Sequence, residues 1–92
     1  MEFEWDENKN EANKRKHGIS FETAAHVFAD ENRVELFDRL HSSLEEERYL
    51  AIGMVNDILT VVFTERGNRT RLISARIANS KEKEIYYGSV HP

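Results

Sequence analysis

An α+β fold is predicted for this 92-residue chain: two helices near the N-terminus, an antiparallel sheet of about four strands, and a closing C-terminal helix. Three observations predict it. The first thirty residues hold two segments with helix start signals, Asp6 and Ser20, and a stop signal at Gly18. Residues 48–77 then hold three apolar runs separated only by Asn56-Asp57 and by a short Gly-Asn turn, the spacing of an antiparallel meander. Asn79, followed three residues on by Glu82, resembles the capping box of a last helix. The length suits one small domain, 1–92, and is too short for two.

Phe3-Glu4-Trp5 is short, alternating and aromatic, as an edge strand would be, and Trp5 suits either the core or a partner interface. Asp6 then caps a helix to about His17, with Gly18 at its C′ position. Acids (Glu7, Glu11) come early in it and cations (Lys14, Arg15, Lys16) late, as the helix dipole favours. Ala12 is almost its only apolar residue, so it cannot be buried all round. Asp6, Lys9, Asn13, Lys16 and His17 share one polar face by their spacing, either a solvated face or a working one. Ser20 caps a second helix to about Ala29, whose Phe21, Ala24, Ala25 and Phe28 form a stripe for burial, with His26 off it and exposed. Arg33–Asp38 reads as a strand, and the polar stretch Arg39–Glu47 as helix or loop. Arg48–Val55, Ile58–Glu65 and Arg69–Ile77 complete the strands, and the last helix runs to about Tyr87.

Composition excludes several classes. With no cysteine there is neither a disulfide framework nor a thiolate metal site. The opening MEFEWDENKNE is acidic where a secretory signal needs basic residues. No apolar run approaches the roughly 20 residues of a membrane-spanning helix. A soluble, cytoplasmic protein without a membrane association is expected. The net charge of −4 argues against a nucleic-acid partner if taken alone. The charges are segregated, however. Acids crowd the first eleven residues and Glu45-Glu46-Glu47, while Lys14-Arg15-Lys16-His17 and residues 66–83 are basic. A local positive surface acts within about 8 Å at physiological salt, whatever the global sum.

Arg66, Arg69, Arg71 and Arg76 have no acid among them and sit on two strands of the most apolar part of the chain. An arginine beside a core costs desolvation, so solubility is a weak reason for this arrangement. The planar guanidinium fork matches phosphate oxygens and stays charged at any working pH, which points to a nucleic-acid backbone. There is no clustered glycine for a phosphate loop, no histidine pair at metal-ligand spacing, and no nucleophile elbow. Lys16, His17, the four arginines, Tyr86, Tyr87 and the Glu45–Glu47 acids remain. Metal-free RNA cleavage needs a base for the 2′-OH proton, cations for the growing phosphorane charge, and an acid for the leaving 5′-oxygen.

The motif order sharpens this. Phe3, Trp5 and Asp6; Lys9, Asn13, Lys16, His17, Gly18 and Phe21; Glu46, Glu47, Arg48 and Gly53; and Arg71, Ile73, Ser74, Ala75, Arg76 and Tyr86 resemble the pattern of the BrnT family of type II toxin–antitoxin toxins. The resemblance covers nearly the whole chain, and Lys16-His17-Gly18 with Ile73-Ser74-Ala75-Arg76 is its specific part. The acidic balance departs from the family's habit, as does Lys83, where the final helix commonly carries arginine. The resemblance implies a RelE-like fold and metal-independent RNA cleavage causing growth arrest. It also implies a ribbon-helix-helix, BrnA-like antitoxin that neutralises the toxin and with it binds operator DNA.

Residues and resemblance together point to Lys16, His17, Glu47, Arg66, Arg76 and Tyr86 as catalytic and to Lys9, Asn13, Arg69 and Arg71 as RNA contacts, with no metal and no cofactor. His17 has a second explanation in the helix C-terminus, which favours an imidazolium. Arg76 has one as a structural ion-pair partner of Asp6 or Glu47. A rival of another class is a non-catalytic module whose basic sheet face binds a partner protein or operator DNA as a co-repressor.

Overall fold

The computed structural model describes residues 1–91, in the order β1 (Glu2–Glu4), α1 (Glu7–His17), α2 (Phe21–Ala24), a 3₁₀ segment (Ala25–Ala29), β2 (Val34–Phe37), β3 (Arg48–Val55), β4 (Asp57–Arg66), β5 (Arg69–Ile77) and α3 (Ser80–Val90). The sheet order is β1-β5-β4-β3-β2. Four strands form the expected antiparallel meander, and β1 adds a fifth at the edge, parallel to β5, so the sheet is mixed. A parallel pair needs a long crossover, and here the whole intervening chain supplies it. Residues 38–47 form turns rather than a helix.

One face of the sheet is covered by α1, α2 and the 3₁₀ segment over a core that includes Phe21, Val27, Phe28, Val61, Phe63 and Leu72. The second helix departs from the sequence expectation. It tightens after Ala24, so Phe21, Ala24 and Val27 are fully buried at a spacing of three, and Val27 joins the core while Ala25 moves to its margin. Gly53 of β3 admits this packing, because a Cβ there would lie 2.8 Å from Val27 Cγ1.

Helix α1 is docked by amides rather than by apolar side chains. Asp6 caps it by accepting from Asn8 and Lys9 N–H groups, and Gly18 ends it at φ 71°. Asn10 accepts from Phe21 N–H at 2.8 Å and donates to Glu7 and Glu22. Asn13 donates to the carbonyls of Ile19 and Ala75 at 2.8 and 2.9 Å and accepts from Ala75 N–H at 3.1 Å. It thereby extends the ladder of β5 beyond the end of β1. Trp5 is half-buried, edge-on to Phe21, with its indole N–H donated to Glu7.

On the other face, α3 covers only one end. Its capping box of Asn79 and Glu82 is formed, and Tyr86 packs with Ile52, Ile58 and Ala78. The rest of that face is uncovered. Among the described residues no helix is long and apolar enough to cross a membrane.

Candidate active site

The arginines reach the uncovered face through a bulge. Arg69 and Arg71 differ in parity from Ser74 and Arg76, so a regular strand would put the two pairs on opposite sides. The register skips Ile73: Val62 faces Ser74, whereas Phe63 faces Leu72. After the extra residue, Arg76 lies opposite Thr60, as Arg71 lies opposite Thr64 and Arg69 opposite Arg66, all on one side. Leu72 and Ala75 are both in the helix-covered core, which confirms the switch. Bulges commonly re-aim side chains beside functional sites.

Each of the five strand arginines on this face has a carboxylate near it. Arg71 pairs with Glu4 at 2.8 Å and Arg69 approaches it at 3.8 Å. Arg48 pairs with Glu46 at 2.8 Å, and Arg66 approaches the same carboxylate at 3.7 Å. Arg76 donates through both Nη1 and Nη2 to Glu82 at 2.6 and 2.9 Å. The run without acids in the sequence thus acquires carboxylates from β1, from the 38–47 loop and from α3. Glu46 is held below the ordinary carboxyl range first by the Arg48 hydrogen bond. For Glu82, burial opposes ionisation, but hydrogen bonds from Arg76, Asn79 and Thr60 outweigh it and lower its pKa. Arg76 rises in turn, chiefly by its hydrogen bonds to Glu82. A guanidinium has five N–H donors, so a fork that gives two to a carboxylate keeps three for a ligand.

Between Arg48 and Arg76 lies a groove of about 320 Å³, floored by Leu50, Val62, Ile73 and Ser74 and walled by Asp38 and His41. The loop that carries this wall is fixed at its base. Asp38 N–H donates to the Arg48 carbonyl at 2.8 Å. Ser42 Oγ donates to the Asp38 carbonyl at 2.6 Å and accepts from Arg48 N–H at 2.8 Å. His41 Nδ1 lies 3.0 and 2.9 Å from the two Asp38 carboxylate oxygens. The groove therefore combines cations for a phosphate with an imidazole on a fixed loop.

Of the residues expected at the site, Arg76 lines this groove, and Arg66, Arg69 and Arg71 lie along the same face. Three of the expected residues are placed away from the groove. Asn13 is buried, with its amide engaged by Ile19 and Ala75, so it holds α1 to β5. Tyr86 is buried and donates its hydroxyl to Asp30 at 2.6 Å; that hydrogen bond, with burial, pushes its pKa up to about 12. Glu47 accepts from Tyr49, whose ring packs on the helix-covered core, so its carboxylate lies on the side away from Arg76. Arg76 is ion-paired, but with Glu82 rather than Asp6 or Glu47. Lys9, Lys16 and His17 flank the docked Asn13 by helical spacing, which puts them along the β5 edge and not among the groove's lining residues. Asp38 and His41 were missed and Arg48 was not assigned to the site, although the Asp-x-x-His spacing in a loop between two strands was a readable signal. Among the described residues no group of three or more His, Asp or Glu side chains is arranged to hold a metal.

Comparison with known proteins agrees with this architecture. A crystal structure of the Brucella abortus ribonuclease toxin BrnT is similar at 28% identity and a TM-score of 0.65, over 87% of this chain and 99% of that one. A search of curated proteins gave no match. The family model described as "Ribonuclease toxin, BrnT, of type II toxin-antitoxin system" matches residues 5–82. With most of its length matched and its fold shared, the chain belongs to the BrnT family of ribonuclease toxins.

Proposed function

We propose that this protein is an endoribonuclease that cleaves RNA without a metal ion on the uncovered sheet face. It arrests growth until a ribbon-helix-helix antitoxin of the BrnA-like kind covers that face, and the complex represses their operon. One observation carries the reading: Arg48 and Arg76 flank a single groove, each held by a carboxylate. Fixed guanidinium groups stabilise phosphorane charge without reorganising during the reaction. Arg66, Arg69 and Arg71 extend the cationic track for the RNA strand on either side, and Lys9 and Lys16 supply further charge at the β5 edge, with His17 beside them. The acid balance of the chain is compatible with this track, because the acids near it orient its arginines. The test is cleavage of a defined RNA by the purified chain and by its Arg48→Ala and Arg76→Ala variants. Loss of cleavage in both variants, with the fold intact, is expected; unchanged cleavage in both refutes the assignment of the groove.

A further inference from the structure

Resting on the reading that this groove cleaves RNA, we propose that His41 is the general base of the reaction and Asp38 its positioning residue. The Asp38 side chain is 13% exposed and the His41 ring 67% exposed, so the carboxylate sits beneath the ring and the ring faces the groove. A carboxylate facing Nδ1 fixes the proton there and leaves the Nε2 lone pair outward, the tautomer a base requires. His41 N–H also points to Asp38 Oδ1 at 3.3 Å, and the Ser42 and Arg48 bonds hold the loop that carries the ring. Arg48 and Arg76 line the same groove, which puts a base within reach of a phosphate they hold. His17 offers no such arrangement, since no hydrogen bond to its ring is formed among the described residues.

The charged and titratable groups facing His41 are Asp38 on its own loop, Arg48 from β3 and Arg76 from β5. Glu46 and Glu82 stand behind the two arginines. In the step, Nε2 takes the proton of the ribose 2′-OH, the O2′–P bond forms and the P–O5′ bond breaks. The 5′-oxygen takes a proton from water, and the imidazolium returns its proton to the hydroxide left behind. The products are a 2′,3′-cyclic phosphate and a 5′-hydroxyl, with no atom gained or lost. Asp38 stabilises the imidazolium that exists between the two transfers.

The experiment follows cleavage of one RNA oligonucleotide from about pH 5 to 9 by the wild type, His41→Gln and Asp38→Asn, with binding measured on the same sequence carrying a 2′-deoxy sugar at the cut. The wild-type rate is expected to rise with pH on one limb, as a base that must be unprotonated to act requires. His41→Gln is expected to lose about 10²–10³-fold in rate and to lose that limb, with binding within about twofold. Asp38→Asn is expected to lose about tenfold in rate with binding of the 2′-deoxy RNA unchanged, because the imidazole loses the acceptor that sets its tautomer. Thermal melts of both variants verify the fold. Cleavage by His41→Gln at the wild-type rate with the limb intact overturns the proposal alone. A wild type that cleaves no RNA overturns it together with the functional reading.

Discussion

Glu82 grips Arg76 with both carboxylate oxygens while Oε1 also accepts from the Thr60 hydroxyl and from Asn79 N–H, at 3.0 and 2.9 Å. One carboxylate thus joins β4, β5 and the cap of α3 to the arginine of the groove. The helix that begins there covers one end of the sheet face and leaves the groove open. The capping box and the candidate site share a residue, so stability and activity are coupled at this point.

Replacing Arg76 or Arg48 by alanine is expected to reduce RNA cleavage about 10²–10³-fold, the usual loss for one preorganised donor. Lysine at either position should recover little, because an ammonium lacks the two-pronged geometry. Arg76→Ala also strands a largely buried carboxylate, so its melting temperature should fall as well, by the equivalent of about 1–3 kcal/mol. Arg66→Ala, at an exposed strand end, should weaken RNA binding more than the cleavage step. Single-turnover rates beside binding curves separate these effects.

Asn13→Ala should act on folding. Three hydrogen bonds are lost, and the N–H and carbonyl of Ala75 lose their partner, at a cost of about 3 kcal/mol. For a domain of this size that is roughly a 10–20 °C drop in melting temperature. An equal melt with weakened RNA binding would return Asn13 to the RNA-contact role.

Stability should depend on pH at both ends. Asp30 and Glu82 are held below their ordinary values of 3.8 and 4.5. Burial resists the shift at each, and it is outweighed by hydrogen bonds from Tyr86, Met54 and Asn32 at Asp30 and from Arg76, Asn79 and Thr60 at Glu82. A lowered folded pKa gives stability that is complete above the ordinary value and is lost as pH falls toward the folded one. Melting temperature should therefore hold from neutrality to about pH 5 and fall below about pH 4.5, with a shallower fall in Glu82→Gln. Tyr86, raised from 10.0 to about 12, adds stability that is complete below pH 10.0 and lost above it.

The antitoxin should dock mainly through apolar contacts. Leu40 and Leu44 are exposed on the loop that carries His41, which walls the groove, and so offer a partner apolar surface. Carboxylates of this chain already occupy part of each arginine, so few new charge pairs are available. Raising salt from 0.1 to about 0.5 M should slow association and change complex affinity only a few-fold. RNA binding that neutralises roughly three phosphates should weaken about 30-fold over the same range. Parallel titrations decide it, and a complex as salt-sensitive as the RNA would contradict this mode of docking.

Local signals were legible in the sequence, and long-range placement was not. Asp6, Ser20 and Gly18 marked helix ends, and Asn79 with Glu82 marked α3, because caps act within one turn. The meander followed from the turn signals at Asn56-Asp57 and Gly67-Asn68, the second being a two-residue turn between Arg66 and Arg69. The parallel pairing of β1 with β5 left no local trace, since its partner lies nearly seventy residues away. The three-residue period of Phe21, Ala24 and Val27 was masked by a competing four-residue stripe. At the site, arginine on the strands was readable, but the Ile73 bulge that aligns Arg71 with Arg76 was not. The burial of Asn13 and Tyr86 and the far-side placement of Glu47 depend on tertiary packing, which spacing alone does not encode.

Metal-independent cleavage by the paired arginines is tested most directly by incubating the purified chain and its Arg76→Ala variant with a defined RNA, in excess EDTA and in magnesium. The wild type should cut at the same positions and at rates within about twofold in both, because arginine and histidine supply the charge and the proton transfer. The variant should be slowed about 10²–10³-fold in both. Cutting only in magnesium, or no cutting by the wild type in either, would contradict the assignment and favour a metal-dependent nuclease or a binding module in its place.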